Sequence, residues 1–332
     1  MNKVVFTIKK ISRMASRNLN NIGRIPTKII FYQMLSLFIS RVPNRFANSK
    51  SHIFKKRDKV ILDNLKEYVP TYIPDEPLNS DKRFTVWSMW WQGTDNIPDL
   101  SQACFDSIAR CCRKNNWRFV IITSENVHDY VFDLPSYIWE KLDNGQITIT
   151  HFSDICRAYL LYHYGGLWAD STIFTTNIPK KIENEAFFTI KTSGYNNGYF
   201  IPNGRWTAFF MGTQAHNPLA YLLLHAFLNY WHQNEEMIDY FLIDYFIEIG
   251  CETQPTIQNL LNSVKSNNEF YNFFMVHGND VFSREKFQRV ERTGTTIFKL
   301  DLKAYIAQTK EVTFYSTLLN NHFMYIGDND ES

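Results

Sequence analysis

The stretch Ser153-Asp-Ile-Cys-Arg157-Ala-Tyr-Leu-Leu-Tyr-His-Tyr-Gly165-Gly166-Leu-Trp-Ala-Asp170-Ser-Thr172 reads as a helix, a sharp stop, a short strand and a carboxylate in immediate succession. Ser153 suits a helix cap with Asp154 in the first turn, and Ile155, Tyr159 and Leu161 carry the helix to the glycine pair. Glycine takes the left-handed conformation that ends helices. Leu167 to Ala169 then forms an apolar strand that delivers Asp170 at its carboxyl end, where open α/β sheets bind ligands. Working upstream, Phe84 to Trp91 is a β-rich run, followed by the loop QGTDNIP and by a helix over Asp99 to Lys114. Phe119 to Thr123 reads as a second strand, with Ser124 or Pro135 opening a short helix behind it. Downstream, strands are predicted over Ala186 to Lys191 and Trp206 to Met211, and apolar helices over Pro218 to Trp231 and Glu236 to Ile249. Strands alternating with helices predict an α/β fold.

With 45% hydrophobic and 20% charged residues, the 332-residue chain is not disordered, collagen-like or low in complexity. Its net charge of +2 conceals two halves of opposite sign. Residues 1–60 hold 14 Lys or Arg and one acid, Asp58, for +13, whereas residues 61–332 hold 21 basic and 32 acidic residues, for −11. A basic arm suits an anionic surface, and an acidic body does not track a phosphate backbone, so nucleic acid is not expected as a partner. Within the arm, Ile29 to Ile39 (IIFYQMLSLFI) is too short to span a bilayer; it reads as a segment lying on an anionic membrane or as a helix docked on the body. Residues 61–83, with Pro70, Pro74 and Pro77, read as a connector, and residues 84–325 as the folded domain. The late start of the apolar run and the lack of a small-residue cleavage site argue against a secretory signal, and the odd set of cysteines reads as reduced core thiols. Both predict a cytoplasmic protein, and the basic arm is expected to hold it peripherally on the inner face of the membrane.

The quoted stretch resembles the pattern of DXD-type sugar transferases, and more closely that of bacterial capsular polysaccharide synthesis glycosyltransferases. Members of that family are similar to this sequence in an opening WxxWWQG (Trp87, Trp90, Trp91, Gln92, Gly93), in Cys104 and Ser107 after it, and in a late KLxxK (Lys299, Leu300, Lys303). The resemblance runs over roughly residues 84–305 and implies a GT-A type Rossmann-like nucleotide-sugar-binding domain, here with a basic helical N-terminal extension. It also implies a nucleotide-sugar donor and a divalent cation. It assigns Asp154 to the base or ribose of the nucleotide, Arg157 to the nucleotide or its phosphates, and Asp170 to the metal. The sequence departs from the DXD pattern at Thr172, which stands where the second acid is expected.

The residues carry a matching chemistry. A departing nucleoside diphosphate concentrates negative charge, which Mg²⁺ or Mn²⁺ held by a carboxylate such as Asp170 would stabilise. With Thr172 a weaker ligand, His277, Asp280 and His322 are candidate supplements. Trp91, Gln92 and Gly93, where the first strand gives way to a loop, suit contact with a nucleotide base, or Trp91 is only core. Asp239 and Asp244 lie in MIDYFLIDYFIEI, read as one buried helix on which they do not share a face. Asp244 is the candidate base for an acceptor hydroxyl; a ligand for the acceptor sugar, or a carboxylate satisfied by backbone or arginine, stays open. No GxSxG, P-loop, HExxH or GxGxxG is present. The expected function is sugar transfer from a nucleotide donor to a lipid-linked glycan in capsule or exopolysaccharide assembly. The alternative is a non-catalytic nucleotide-sugar-binding or membrane scaffold protein of the same fold.

Overall fold

In chain order the strands of the computed structural model are β1 (Thr85–Met89), β2 (Arg118–Ile122), β3 (Gly166–Ala169), β4 (Ile173–Thr175), β5 (Phe187–Thr189), β6 (Phe210–Thr213) and β7 (Ile297–Lys299). The structure describes residues 23–42, 47–78, 83–193 and 198–320. The helices are α1 (Thr27–Ile39), α2 (Ala47–Leu65), α3 (Asp99–Asn115), α4 (Val127–Tyr130), α5 (Ser136–Asp143), α6 (Ile149–His163), α7 (Pro218–Gln233), α8 (Leu242–Thr253), α9 (Pro255–Ser263), α10 (Phe273–His277), α11 (Arg284–Glu291) and α12 (Phe314–Leu319).

Five strands form one mixed sheet in the order β2-β1-β3-β6-β5. β1 runs parallel to both β2 and β3, and β6 pairs antiparallel with β3 and β5. Successive side chains of a strand face opposite ways, and the two faces bury different partners. Trp87, Trp168 and Met211 join the main core, which includes Ile155 and Leu160 of α6 and Leu223 and Phe227 of α7. Val86, Leu167, Ala169 and Phe210 face Ile108, Cys111 and Cys112 of α3. β4 and β7 make a second, antiparallel pair over a phenylalanine-rich cluster of Phe174, Phe273, Phe274, Phe287, Phe298 and Phe314. Cys104, Cys111, Cys112 and Cys156 are buried free thiols, as read, and Cys251 is half-buried.

Three predicted boundaries move, each because a side chain takes over a backbone bond. The helix carrying Asp154 starts four residues before Ser153: Thr148 is its N-cap, accepting from His151 N, and Ser153 donates back to Thr150 O at 2.6 Å inside the helix. Asp154 is thus mid-helix rather than in the first turn. The predicted helix over Glu236 to Ile249 begins only at Leu242, since Asp239 Oδ1 accepts from Phe241 N at 2.9 Å and holds a turn there. Asp239 and Asp244 therefore do not share a helix. The strand predicted from Trp206 starts at Phe210, because Thr207 N and O bond the Thr189 hydroxyl instead of a ladder partner.

The basic arm meets the body earlier than its composition suggests. Residue 60 lies inside α2, whose Ile61, Leu62 and Leu65 are buried in the main core, so residues 61–65 are not a connector. Asp58, the single acid of the arm, is an internal counter-ion. Arg57, buried, donates to it at 2.9 Å and to Tyr199 O at 2.7 Å, and Tyr245 of α8 donates to it at 2.8 Å. α1 docks by Ile29, Ile30 and Leu37, and its Gln33 donates to Ile238 O and to Asp239 Oδ2. Its other side presents Phe31, 59% exposed, and Phe38, 73% exposed. Among the described residues no helix is long and apolar enough to cross a membrane, and residues 1–22 of the arm lie outside them.

Candidate functional site

Gly165 and Gly166 adopt φ of +65° and +98°, so the chain reverses from α6 into β3 within two residues. Trp87 of the neighbouring strand donates its indole N–H to Gly165 O at 2.9 Å and pins this reversal. β3 then runs parallel to β1, with Val86 opposite Leu167 and Trp87 opposite Trp168. The loop Trp91–Gly93 and Asp170 thus leave the same carboxyl edge of the sheet, as predicted from sequence. Trp91 packs edge-on against Phe152 of α6, two residues from Asp154, and Gly93 closes the turn at φ +85° with N–H to Trp90 O.

At this edge the predicted residues form one chain of charges. Arg157 Nη1 lies 2.9 Å from Asp154 Oδ1, and Arg157 Nη2 donates to Asp170 Oδ1 at 3.1 Å. Trp168 Nε1 donates to the same oxygen at 2.9 Å, and the Arg157 guanidinium lies over the Trp168 ring at 4.8 Å. The other carboxylate oxygen, Asp170 Oδ2, accepts from Lys299 Nζ at 2.7 Å. Burial alone would raise the Asp170 pKa, but the Lys299 and Arg157 charges with the Lys299 and Trp168 hydrogen bonds outweigh it and hold the carboxyl below the ordinary range. Arg157 is almost fully enclosed, whereas the side chains of Asp170 and Lys299 remain 29% and 21% exposed. The chain of charges therefore opens to solvent at its Asp170–Lys299 end.

At the inner end, His151 Nε2 accepts from Trp231 Nε1 at 2.8 Å, which puts its ring proton on Nδ1, facing Asp154 Oδ2 at 3.5 Å. Asp244, buried in the first turn of α8, accepts from Trp206 Nε1 at 2.9 Å. Its burial pushes its pKa up to about 7, the Trp206 bond opposing the shift and the nearby Asp154 charge adding to it. Asp239 is elsewhere, engaged with Gln33 of α1. Lys299, His151, Trp168 and Trp206 were not assigned roles from sequence. Lys299 stood in the KLxxK run, whose spacing to Asp170 only the β4–β7 pairing reveals.

The donor set around Asp170 does not suit a divalent cation in this arrangement. Both carboxylate oxygens already accept from cationic or indole N–H groups, and Thr172, which carries no charge, is nearly buried. Asp280 is held by Lys286 at 2.9 Å and His277 at 2.7 Å, and His322 lies outside the described residues. Among the described residues no group of three His, Cys, Asp or Glu converges to hold a metal ion.

The sequence model of the family described as capsular polysaccharide synthesis protein matches residues 41–318. Two curated proteins are similar over shorter stretches. Inositol phosphoceramide mannosyltransferase 1 of Schizosaccharomyces pombe is 25% identical over 114 residues, 32% of this chain and 34% of that protein. Glycosyltransferase afumC of Aspergillus fumigatus is 30% identical over 119 residues, 34% of this chain and 29% of that protein. The match thus spans about a third of the length of these relatives. Among solved structures, the PaToxG glycosyltransferase aligns over 83% of this chain and 96% of its own, at 13% identity and a TM-score of 0.35.

Proposed function

The chain belongs to the capsular polysaccharide synthesis protein family, and from that premise we propose that it is a glycosyltransferase, moving a sugar from a nucleotide-sugar donor to a glycan acceptor carried on lipid, in capsule or exopolysaccharide assembly. One observation carries this reading: the run Asp154–Arg157–Asp170–Lys299, linked by contacts of 2.9, 3.1 and 2.7 Å, at the carboxyl edge of the central strand β3. Three parallel strands extended by two antiparallel ones, with Asp170 leaving the middle strand, support a GT-A type donor domain.

Each residue has a task in that reaction. Asp154 accepts from ribose hydroxyls or base N–H groups, and its pairing with Arg157 and His151 fixes its orientation. Arg157 ties the nucleotide end of the site to the phosphate end, with a planar fork suited to oxyanions. Trp91 offers a face to the base. Transfer breaks the bond between the anomeric carbon and the β-phosphate oxygen, and the electron pair stays on the diphosphate. The acceptor hydroxyl bonds to that carbon and releases its proton to a carboxylate, for which Asp244, with its pKa near 7, is the candidate.

A lipid-borne acceptor is supported by the docked α1, whose Phe31 and Phe38 face outward beside Lys28 and Arg41. The name of the S. pombe relative, an inositol phosphoceramide mannosyltransferase, points the same way. The protein then works peripherally on the cytoplasmic face of the membrane, where nucleotide sugars are made. The test is thermal stabilisation by a panel of UDP-, GDP- and CDP-sugars. One nucleotide class is expected to raise the melting temperature of the native chain and not of Asp170→Asn. A panel with no response in folded protein overturns the donor reading.

A further inference from the structure

We infer that Lys299, with Arg157 beneath it, supplies the positive charge that receives the departing diphosphate, so that donor binding at this site needs no divalent cation. This role rests on the donor-site reading above and adds to it the identity of the phosphate-binding group.

The geometry points there from three sides. First, Asp170 is not available as an anionic anchor for a metal: Lys299 occupies one oxygen at 2.7 Å, and Arg157 and Trp168 occupy the other at 3.1 and 2.9 Å. A doubly charged ion approaching Oδ2 would meet an ammonium at contact distance, and like charges repel most strongly where the protein excludes water. Second, the position two residues on, Thr172, offers no compensating negative charge, and its backbone carbonyl is engaged by Leu300 N at 2.8 Å. Third, the cations have unused donors. Lys299 Nζ carries three N–H bonds, and among the described residues Asp170 is its hydrogen-bond acceptor. Its head lies 4.8 Å from the centre of the Phe209 ring, which steadies it at the opening. Arg157 Nε is buried and has no hydrogen-bond partner among the described residues. A buried guanidinium N–H without an acceptor is costly in the free protein and leaves the positive charge of Arg157 only partly matched beneath the opening.

The backbone explains why the cation stands there. β7 pairs with β4, Lys299 opposite Ile173, and β4 follows Asp170 after a single turn closed by Ile173 N to Asp170 O at 3.0 Å. Lys299 is therefore locked in register with the carboxylate rather than carried on a loop. Asp170 in this scheme is a positioning residue: it holds the ammonium and the guanidinium at one spot, and the phosphate oxygens take the remaining N–H groups.

Isothermal titration of the full chain with UDP, GDP and CDP, in excess EDTA and then in Mn²⁺ or Mg²⁺, decides the matter. The expected result is that one nucleoside diphosphate binds in EDTA with an affinity within about threefold of that in metal. Lys299→Gln then weakens it by about tenfold or more, as loss of a charge-assisted hydrogen bond does, while Lys299→Arg retains it. Binding that appears only with metal, or that Lys299→Gln leaves unchanged in folded protein, overturns the inference while leaving the donor site standing. The EDTA arm uses the native chain, so a variant that fails to fold does not obscure it. If no nucleoside diphosphate binds with or without metal, the donor site itself falls, and the role of Lys299 with it.

Discussion

Lys299 Nζ stands 2.7 Å from Asp170 Oδ2 although 129 residues separate them in sequence. The two end neighbouring parts of the fold, β3 and β7, and together with Arg157 they form a cation–carboxylate–cation group. Removing the middle charge leaves two cations side by side. Asp170→Asn is therefore expected to lower stability by about 1–3 kcal/mol, less than for a fully enclosed pair because Asp170 is partly exposed. It should also reduce turnover by about 100-fold or more, since the cations lose their common anchor. Melting curves and release of nucleoside diphosphate measure the two effects. Unchanged turnover in the folded variant would place catalysis away from Asp170, and no turnover in the native chain would favour the non-catalytic scaffold instead.

Asp244 gives a prediction in pH. Its carboxyl is raised from 3.8 to about 7 by burial, so between about pH 4 and pH 7 the folded chain holds a proton that the unfolded chain has released. This contribution to stability is fully present below the unfolded pKa and is lost as pH rises through the folded one. Asp244→Asn keeps an oxygen for Trp206 Nε1 and removes the charge. The variant should melt above the native chain at pH 8, and the difference should shrink toward pH 4. If Asp244 is the base, the same variant lowers kcat by about 10²- to 10⁴-fold and removes an ionisation near pH 7 from the rate profile. Equal melting temperatures at both pH values would mean that Asp244 is not the strained group its burial implies.

What the sequence made legible was local, and what it hid was long-range. Asp154, Arg157, Gly165, Gly166 and Asp170 lie in one continuous stretch, so helix period, glycine stop and strand exit were enough to bring them together. His151 lies three residues before Asp154 on the same helix, within reach of helical spacing, but ahead of the start read at Ser153. Lys299 reaches the same site only through the β4–β7 pairing, which no spacing along the chain encodes. The same limit applied to the arm. Its charge marked it as separate, yet Asp58 is there to neutralise Arg57 inside the body, a use of one acid among many bases that composition cannot distinguish from chance. Asp239 misled for a third reason: a buried-looking apolar run reads as helix, while one carboxylate bonded to the backbone two residues on is enough to delay its start.

The glycine turn that aims Asp170 allows a quantitative test. A Cβ on Gly166 would lie 2.1 Å from Thr85 O, on the backbone of the paired strand, and the residue holds φ at +98°. Neither the contact nor the backbone can relax without separating β1 from β3. Gly166→Ala is expected to cost about 3 kcal/mol or more and to abolish nucleotide binding. Gly145 is the control: it holds φ at +74° but has open space around its Cβ position. Gly145→Ala should cost only the backbone term of about 1–2 kcal/mol. Equal losses for the two, read from denaturant unfolding, would show that β3 does not depend on that close approach.

The outward side of α1 separates docking from membrane attachment. Ile29 and Leu37 are buried and hold the helix on the body, whereas Phe31 and Phe38 stand mostly in solvent and contribute little to folding. Phe31→Ser with Phe38→Ser should therefore leave the melting temperature of the chain nearly unchanged, within the roughly 0.5 kcal/mol usual for surface substitutions. If these rings enter the headgroup region of an anionic membrane, each withdraws apolar area from water on binding, and losing both should weaken attachment to phosphatidylserine vesicles by about tenfold or more. Raising the salt should then release the native chain as well, because Lys28 and Arg41 flank the rings and the attraction of basic residues to the surface is screened. A melting curve checks the first of these, and cosedimentation the other two. Vesicle binding that survives both substitutions with undiminished salt sensitivity would place attachment in the basic charges alone and leave α1 as a packing helix.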